Sequence, residues 1–414
     1  MICRIYLRHR GETIERGRNR MKMNVAVFFG GKSVEHEVSI ISAQQAIAAM
    51  DTEKYHILPI YVSKKGVLYY SEEMTSVEPF KKIDALLERS SKVILINDGE
   101  NVILEKYPRP KFSNSKIATV DVAIPIMHGT NGEDGTIQGY LEMLGVPYAG
   151  CGVLASAVGM DKILMKQVLQ AKGVPVLDCV SFYAKQWVLS KQEIVEKIET
   201  IGYPVIVKPA NLGSSVGIKK AANHTQLEEA VDLAASFATR VLVEKAIENL
   251  IEINCSVIGD SYDTKVSVCE RPMGSDEILS YADKYGRGAK GGASKGMSSA
   301  SRQVPAELSD QQRRKIEMYV QQTFQALCCS GVARIDCMID GDSGEIYVNE
   351  INTIPGSLSF YLWEEAGMSF RQEMDELIAL ALKKNRDKEA ITFTYDSNIL
   401  EMQGGTKGTK GGVK

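Results

Sequence analysis

Residues 333–356 of this 414-residue chain read ARIDCMIDGDSGEIYVNEINTIPG and decide the fold of its last third. Two runs rich in Ile, Val and Tyr flank a Gly- and Asp-rich turn signal, which predicts a β-hairpin. Because side chains alternate between the faces of a strand, Arg334 and Asp336 share one face, as do Glu350 and Asn352. Three oxygen-bearing side chains beside one guanidinium suit Mg²⁺ and a phosphate group. The hairpin therefore predicts a metal–nucleotide site, although a structural hairpin with a terminal salt bridge fits the spacing equally well.

Length and composition narrow the class of protein. The chain has 414 residues, of which 44% are hydrophobic, and this is enough for several domains with separate cores. A formal net charge of −3 gives no basic field, so neither nucleic acid nor a membrane surface is the expected partner. No apolar run approaches the roughly 20 residues of a membrane span. The eight cysteines form no CxxC pair, which favours a cytoplasmic protein with reduced cysteines in its cores.

Both ends of the chain read as flexible. Residues 1–22 are rich in arginine and lack the apolar stretch of a secretory signal, so we expect a disordered extension. Met21 or Met23 could then serve as the effective start. Residues 386–414 end in the low-complexity sequence GGTKGTKGGVK and are expected to form a flexible tail.

The hydrophobic pattern between these ends predicts three domains of the α/β (α+β) class. NVAVFF, a helical pattern and YHILPIYV form a βαβ unit, so residues 23–148 are expected to be an N-terminal α/β domain. Within it, residues 67–118 read as a peripheral insertion. A second unit is expected at 149–241, and a third at 242–385 contains the hairpin.

A glycine-rich turn follows the first predicted strand. Its sequence GGKS matches the end of a P-loop, but Ala26 stands where that motif requires glycine. The dinucleotide motif GxGxxG is absent as well. What remains is a predicted helix N-terminus beside Glu35, whose carboxylate, taken alone, reads as a partner of the helix dipole.

A second small-residue loop lies in the segment KPANLGSSVG. Lys208 places a positive charge at a strand end, and Gly213, Ser214 and Ser215 let the backbone direct N–H groups at phosphate oxygens. A flexible linker would have the same composition. Lys166, on the helix before it, reads from its spacing alone as an ordinary surface residue.

Two further segments have open interpretations. Glu244-Lys245 ends one predicted strand and Glu252 begins another; such acids are usually solvated but can also accept hydrogen bonds from ribose or adenine. Residues 280–303 are longer and richer in glycine than loops inside compact domains usually are. They read as a lid in which Lys284-Tyr285 closes over a ligand, or as an exposed loop.

Taken together, these segments resemble the D-alanine–D-alanine ligases of the ATP-grasp superfamily. The shared motifs occur in the same order over roughly residues 24–385, and they read GGKSVEHEVS, HGTNGEDGTIQG, MDKILMK, VKPANLGSSVG, EKAI, DKY, ARID and NEINTIPG. The resemblance implies a three-domain ATP-grasp architecture with a Rossmann-like N-terminal domain. It also implies a ligase that joins D-alanine molecules for peptidoglycan synthesis, using ATP and two Mg²⁺ ions, with Mn²⁺ as a possible substitute. A homodimer is what the family suggests.

The resemblance implies roles for individual residues around the substrates. Glu35 would bind the ammonium of the first D-alanine in a hydrogen-bonded group with Ser214 and Tyr285. His128 would lie near this first subsite. Arg334 and the Gly356 amide would stabilise the oxyanion. The residues that would hold the metal ions are Asp336, Glu350 and Asn352.

The nucleotide site is implied in the same way. Three lysines would hold the ATP phosphates: Lys166, Lys208 and Lys284. The small-residue loop would contribute Gly213 and Ser215. The residues that would contact the adenine and the ribose are Glu244, Lys245, Ile247 and Glu252.

One position departs from the resemblance. Many of these ligases carry, shortly after NTxPG, a serine that binds the carboxylate of the second substrate, whereas Tyr361 stands there, followed by Leu362. Leu362 is still expected to contact that substrate. Tyr285 favours an amine as acceptor, and it leaves both D-alanine and D-serine open, because a pocket rejects one added hydroxyl only about 10²-fold. The alternatives are therefore a D-alanine–D-serine ligase and, disfavoured by the complete metal and Arg334 set, a non-catalytic ATP-binding regulator.

Overall fold

A computed structural model describes residues 22–213, 216–273 and 302–392, which fold into three β-sheets covered by helices. The strands of the first sheet are β1 (Met23–Gly30), β2 (Tyr55–Val62), β3 (Leu68–Tyr70), β4 (Ser91–Asn97), β5 (Val102–Lys106), β6 (Lys116–Thr119) and β7 (Val122–Ile126). Its helices are α1 (His36–Ala49), α2 (Ile83–Arg89) and α3 (Thr136–Leu144). The strand order is β6-β5-β4-β3-β2-β1-β7.

The predicted βαβ unit forms the centre of this sheet. β1 lies between β2 and β7 and runs parallel to both, and residues 25–29 are completely buried. The prediction that residues 67–118 form a peripheral insertion is wrong, because β3 to β6 continue the same sheet in antiparallel pairing. These strands are short and partly exposed, so their apolar pattern is too weak to distinguish a sheet edge from a loop.

The second sheet follows two connecting helices, α4 (Val153–Met160) and α5 (Lys162–Ala171). Its strands are β8 (Cys179–Tyr183), β9 (Val205–Pro209), β10 (Lys219–Ala221) and β11 (Arg240–Lys245), in the order β10-β9-β11-β8. Its helices are α6 (Ala184–Leu189), α7 (Lys191–Ile201) and α8 (His224–Phe237). The predicted boundary between 241 and 242 falls inside β11, which pairs as one strand with β8 and β9.

The third sheet is antiparallel and contains the predicted hairpin. Its strands are β12 (Leu250–Gly259), β13 (Thr264–Pro272), β14 (Arg302–Gln303), β15 (Gly331–Asp340) and β16 (Ile346–Asn352), in the order β14-β13-β12-β15-β16. Its helices are α9 (Asp310–Ala326), α10 (Phe360–Glu365) and α11 (Phe370–Glu389). The antiparallel pairing of β15 with β16 confirms the hairpin. The predicted tail from residue 386 starts too early, since α11 continues through a wholly polar last turn.

Packing between the sheets brings distant segments together. Met165 and Leu169 of α5 share a core with Ile335 of the third sheet, while Ile163 packs with Leu242 of the second, so α5 lies between the two sheets. Conversely, Leu358 and Leu377, which follow the hairpin, pack in the core of the first sheet. The segment that leaves β16 therefore lies against α1. Within the described ranges, no helix combines the length and apolarity needed to cross a membrane.

The cysteines depart in one respect from the expectation of reduced side chains. Cys255 on β12 and Cys269 on β13 are direct cross-strand partners, and they form a disulfide. Register of this kind depends on tertiary pairing and cannot be seen in cysteine spacing. The other cysteines of the described ranges are free and occupy positions 151, 179, 328, 329 and 337.

Candidate functional site

The hairpin brings its four predicted polar residues together. Arg334 lies opposite Asn352, and Asp336 opposite Glu350. The Arg334 guanidinium donates from Nε and Nη2 to the two Asp336 carboxylate oxygens, at 2.7 and 2.8 Å, and the Asn352 amide donates to the same carboxylate at 3.1 Å. Burial alone would lower the pKa of Arg334, but Asp336 raises it well above its usual value. The guanidinium is therefore permanently charged and fixed in direction.

A β-bulge in β16 adds a residue that the sequence pattern does not reveal. Asp336 is opposite Glu350 but Cys337 is opposite Val348, so Asn349 has no partner on β15. Its side-chain oxygen instead accepts a hydrogen bond from the Lys208 ammonium at 3.1 Å. Bulges redirect side chains next to functional sites. Here the bulge connects the hairpin to the second sheet.

Two of the predicted ATP-binding lysines converge on one buried carboxylate. Glu244 lies 2.9 Å from the Lys166 ammonium and forms a second ion pair with Lys208. Burial would raise the pKa of Glu244, but the two lysines lower it to about 2. Lys166 is nearly inaccessible, so its interpretation as a surface residue is wrong. The arrangement holds two positive charges on rigid elements, as a polyphosphate requires.

Lys162 is a site residue that sequence reasoning missed. Its ammonium lies 3.1 Å from a Glu350 oxygen and donates to the Leu212 carbonyl at 3.2 Å. It therefore ties the small-residue loop to the hairpin. The available signal was its spacing: Lys162 and Lys166 lie four residues apart and so share one helix face.

Glu35 lies where two glycine-containing loops meet. A Cβ built on Gly213 would be 3.4 Å from a Glu35 carboxylate oxygen, and one built on Gly129 would be 2.7 Å from it. The Glu35 backbone N–H donates to the Ser33 hydroxyl at 3.0 Å. The carboxylate is buried between these loops, as the predicted ammonium site requires.

His128 is neutral and holds the segment after β16. Its Nδ1 lies 2.8 Å from the Ile354 carbonyl, which can only accept, so Nδ1 carries the proton. Nε2 then accepts from the Ser42 hydroxyl at 2.9 Å, and that hydroxyl accepts from the Ser357 N–H at 3.0 Å. Burial lowers the pKa of His128 to about 4, and the charge of Arg334 acts in the same direction.

The segment held by His128 has an unusual backbone. Ser357, Leu358 and Ser359 have φ values of 51°, 54° and 60°. Each non-glycine residue in the left-handed region costs about 1–2 kcal/mol, so a run of three needs support from outside. Part of that support comes from the Ser357 hydroxyl, which donates to the Gln45 side chain at 2.6 Å.

Glu133 is a second missed residue. Its carboxyl oxygens accept from the Gly129 N–H at 2.8 Å and the Ile354 N–H at 3.2 Å. Burial, followed by the charge of Glu35, raises the pKa of Glu133 to about 8. It links the loop after β7 to the segment after β16, and its signal was its place inside the motif HGTNGEDGT.

The remaining predicted residues lie around this cluster. Lys245 donates to the carbonyls of Gly202 and Tyr203, at 3.2 and 3.1 Å, and so points away from Glu244. Ile247 and Gly356 are half-buried, and Glu252 is exposed at the start of β12. Leu362 is fully buried in α10, so its side chain offers no exposed surface to a substrate. The predicted residues outside the described ranges are Ser214, Ser215, Lys284 and Tyr285.

The predicted metal ligands are oxygen donors on neighbouring strands. Asp336 and Glu350 contribute carboxylates and Asn352 contributes an amide, a set that suits Mg²⁺ or Mn²⁺. No group of three or more His, Cys, Asp or Glu side chains that could hold a metal ion occurs in the described part of the chain. The fit therefore depends on including the asparagine.

Two family models match this chain. The family model of the D-ala D-ala ligase N-terminus matches residues 24–151, and that of the D-ala D-ala ligase C-terminus matches residues 168–379. The chain belongs to the D-alanine–D-alanine ligase family. It is therefore an ATP-dependent ligase, and the predicted ATP-grasp architecture is confirmed.

Individual members of this ligase family cover nearly the whole chain. A D-alanine–D-alanine ligase of Thermosipho melanesiensis is 39% identical over 92% of this chain and 99% of its own length. The solved D-alanine–D-alanine ligase of Coxiella burnetii has a TM-score of 0.73 at 28% identity, covering 89% of this chain and 96% of its own. The VanG D-Ala:D-Ser ligase of Enterococcus faecalis has a TM-score of 0.72 at 30% identity, covering 87% and 100%.

A solved Bacillus anthracis D-alanine–D-alanine ligase bears on the nucleotide. This protein was solved in complex with ATP, and its TM-score is 0.62 at 26% identity, covering 88% of this chain and 99% of its own.

Proposed function

We propose that this chain joins two D-alanine molecules into D-alanyl-D-alanine for peptidoglycan synthesis, converting ATP into ADP and phosphate. The observation that carries the proposal is the meeting of three charged groups. Three features connect the Arg334–Asp336 hairpin pair, the two lysines Lys166 and Lys208, and the Glu35 carboxylate. They are Lys162, Asn349 and the proximity of Gly213 to Glu35. The reaction brings together a carboxylate, a triphosphate and an amine. Arg334, the two lysines and Glu35 can each bind one of these groups.

The first step activates the carboxylate of one D-alanine. The γ-phosphoryl group moves from ATP to that carboxylate, giving D-alanyl phosphate and ADP. Catalysis of such a transfer is mostly positioning and charge neutralisation. Lys166 and Lys208 provide positive charge on rigid elements. When bound to Asp336, Glu350 and Asn352, two magnesium ions add charge neutralisation at the phosphates.

The second step forms the peptide bond. The amine of the second D-alanine attacks the acyl carbon, its proton is released, and the bond to phosphate breaks. Negative charge develops on the acyl oxygen between these events. Arg334, already oriented by Asp336, and the Gly356 amide donate hydrogen bonds to that oxygen. Glu35 holds the ammonium of the first D-alanine, together with Ser214 and Tyr285.

D-serine is a second candidate for the acceptor. One solved relative of similar fold is a D-Ala:D-Ser ligase, and in this chain Tyr361 occupies the position where the resemblance expects a serine. The two acceptors differ by one hydroxyl, so the pocket around Tyr361 decides between them.

A cytoplasmic homodimer completes the proposal. On α3 and α4, the side chains of Met143 and Leu154 are 90% and 63% exposed. The two helices are neighbours, and a Cβ built on Gly135, which precedes α3, would lie 2.9 Å from the Val153 carbonyl oxygen of α4. Exposed apolar patches mark interaction sites, and two-fold pairing is the commonest use. Sedimentation of the wild type against Met143→Glu tests this assembly.

The activity is tested with purified protein, ATP, Mg²⁺ and D-alanine, with D-serine or D-lactate as competing acceptors. Phosphate release and product mass are measured together. We expect D-alanyl-D-alanine as the main product. Absence of amino-acid-dependent phosphate would favour the non-catalytic regulator, and a dominant mixed dipeptide at equal concentrations would favour the D-serine ligase.

Arg334→Ala tests the proposed oxyanion donor. We expect turnover to fall by about 10² to 10³ with ATP binding retained, which is the usual effect of removing one such donor. Arg314→Gln, on the exposed side of α9, is the matched control. Loss of ATP binding in the Arg334 variant would contradict the assignment.

A further inference from the structure

A second buried guanidinium lies close to Arg334. Arg302 is the first residue of β14, and its side chain is only 12% exposed. Its Nη1 lies 3.2 Å from Glu270 Oε2, while the Tyr361 hydroxyl donates to Glu270 Oε1 at 2.8 Å. The guanidinium carbon lies 4.3 Å from the centre of the Tyr361 ring, which places a cation over the aromatic face. Arg302, Tyr361 and Glu270 thus form one compact unit, here called the Arg302 cluster.

One donor of this cluster is unpaired in the part of the chain that the structure describes. The Arg302 Nε–H is buried and has no hydrogen-bond acceptor within the described ranges. Buried N–H groups are almost always paired, so an unpaired one requires an explanation such as an absent ligand. Because the ion pair with Glu270 engages Nη1, the Nε edge remains for another anion. A guanidinium edge matches a carboxylate through two parallel hydrogen bonds.

The strand register places the cluster beside the proposed reaction centre. Glu270 is opposite Asn254 on β12, and Asn254 is opposite Asp336 on β15. Two strand spacings, about 10 Å in all, therefore separate the backbones of Glu270 and Asp336. The side chains of the two residues extend into the space between them. The phenol of Tyr361 is close enough to both guanidiniums for Arg334 and Arg302 to act on its pKa, which burial and Glu270 raise.

We propose that Arg302 binds the carboxylate of the second amino acid, while Tyr361 supports the guanidinium by stacking and Glu270 holds both. This inference rests on the ligase function proposed above. An attacking amine must be neutral and aimed at the acyl carbon, so the carboxylate is the one charged handle left for orienting the acceptor. An anchor at Arg302 and an oxyanion donor at Arg334 give the acceptor a fixed direction between two guanidiniums. In many related ligases a serine hydroxyl at the Tyr361 position binds this carboxylate. Here Tyr361 would instead hold Arg302 in place by stacking, and Arg302 would bind the carboxylate.

The test uses two acceptors that differ only in charge. D-alanine and D-alaninamide compete as acceptors in the presence of ATP and Mg²⁺, and the ratio of D-alanyl-D-alanine to its amide is measured by mass. In Arg302→Gln we expect the preference for the carboxylate to fall about tenfold to a hundredfold, as loss of hydrogen bonds to a charged group predicts. Arg302→Lys keeps the positive charge but cannot form two parallel hydrogen bonds. Its preference for the carboxylate acceptor should therefore lie between those of the wild type and Arg302→Gln. Arg314→Gln should match the wild type.

The rate of acyl phosphate formation distinguishes a defect in acceptor binding from general damage to the fold. Hydroxylamine traps D-alanyl phosphate before the acceptor is needed, and Arg302→Gln should keep this trapping rate. An unchanged product ratio in Arg302→Gln would overturn the inference. So would a loss of trapping equal to the loss of ligation, because that result assigns Arg302 a structural role. A wild type that makes no dipeptide would instead contradict the proposed function.

Discussion

Replacing Glu244 by glutamine removes the buried negative charge that Lys166 and Lys208 share. The pKa of Glu244 falls from 4.5 to about 2 in the fold, and at about 1.4 kcal/mol per pH unit this corresponds to about 3 kcal/mol of stability. Removing one partner of a buried ion pair costs about 3–5 kcal/mol, because the remaining charge is left unpaired. We therefore expect Glu244→Gln to lower the free energy of unfolding by about 3 kcal/mol.

The tryptophans allow this loss to be assigned to one sheet. The chain has two tryptophans, and Trp187 is buried in the core of the sheet that contains Glu244, whereas Trp363 lies in α10. In a Trp363→Phe background, fluorescence therefore reports the second sheet. Urea unfolding at pH 7 is measured with and without Glu244→Gln, and Glu248→Gln, at an exposed position, serves as the control.

The pH dependence of the Glu244 effect gives a second check. Because the pKa is lowered by folding, the stabilisation is complete above pH 4.5 and is lost as the pH falls toward 2. The difference between wild type and variant should therefore shrink in acid. A Glu244→Gln protein within about 0.5 kcal/mol of the wild type at pH 7, the range of ordinary surface substitutions, would refute this account of the lysine pair.

Gly129→Ala should lower kcat/KM for D-alanine by about 10²-fold, because the added Cβ would collide with the Ser33 hydroxyl and lie 2.7 Å from a Glu35 oxygen. Gly66 has a similar φ but open space, so Gly66→Ala should leave kcat/KM unchanged, and equal effects would contradict the contact. Neutral His128 should contribute about 3 kcal/mol of stability that is lost as the pH falls from 6.5 to about 4, because burial lowers its pKa to about 4 in the fold. Glu133, whose pKa is raised, titrates with the opposite sign, so this contribution is measured as the difference between wild type and His128→Gln. Urea unfolding of His128→Gln should lack that contribution, and an identical pH profile would argue against it. Ser42→Ala leaves a buried N–H and the His128 ring unpaired, so it should cost about 1–3 kcal/mol in urea unfolding, whereas wild-type stability would exclude this role.

The features that the sequence predicts well are local. The hairpin is specified by alternation on either side of a turn, and its register follows from that alternation, so Arg334, Asp336, Glu350 and Asn352 could be placed together in advance. The βαβ unit is likewise encoded by strong buried runs. Motif order then supplied the family, which no single motif could have done.

The features that it predicts poorly depend on contacts between distant segments. Lys162 looks ordinary on its helix until Glu350 of the third sheet lies beside it. Glu133 lies inside a recognisable motif, but its role depends on the Ile354 N–H of the segment after β16. Asn349 faces Lys208 because of a bulge, which shifts the pairing of β16 without changing its apolar pattern. Arg302 lies 32 residues from Glu270 along the chain, so its role depends on strand pairing alone.

The left-handed turn at residues 357–359 has a consequence for how this enzyme can evolve. The turn is held by Ser42 and Gln45 of α1, whereas the Arg302 cluster is built from β13, β14 and α10. Substitutions in α1 can therefore relax the turn and move Tyr361 without replacing Arg302, Tyr361 or Glu270. Variants selected for a different second substrate should accordingly carry mutations in the N-terminal helix as well as in the acceptor pocket.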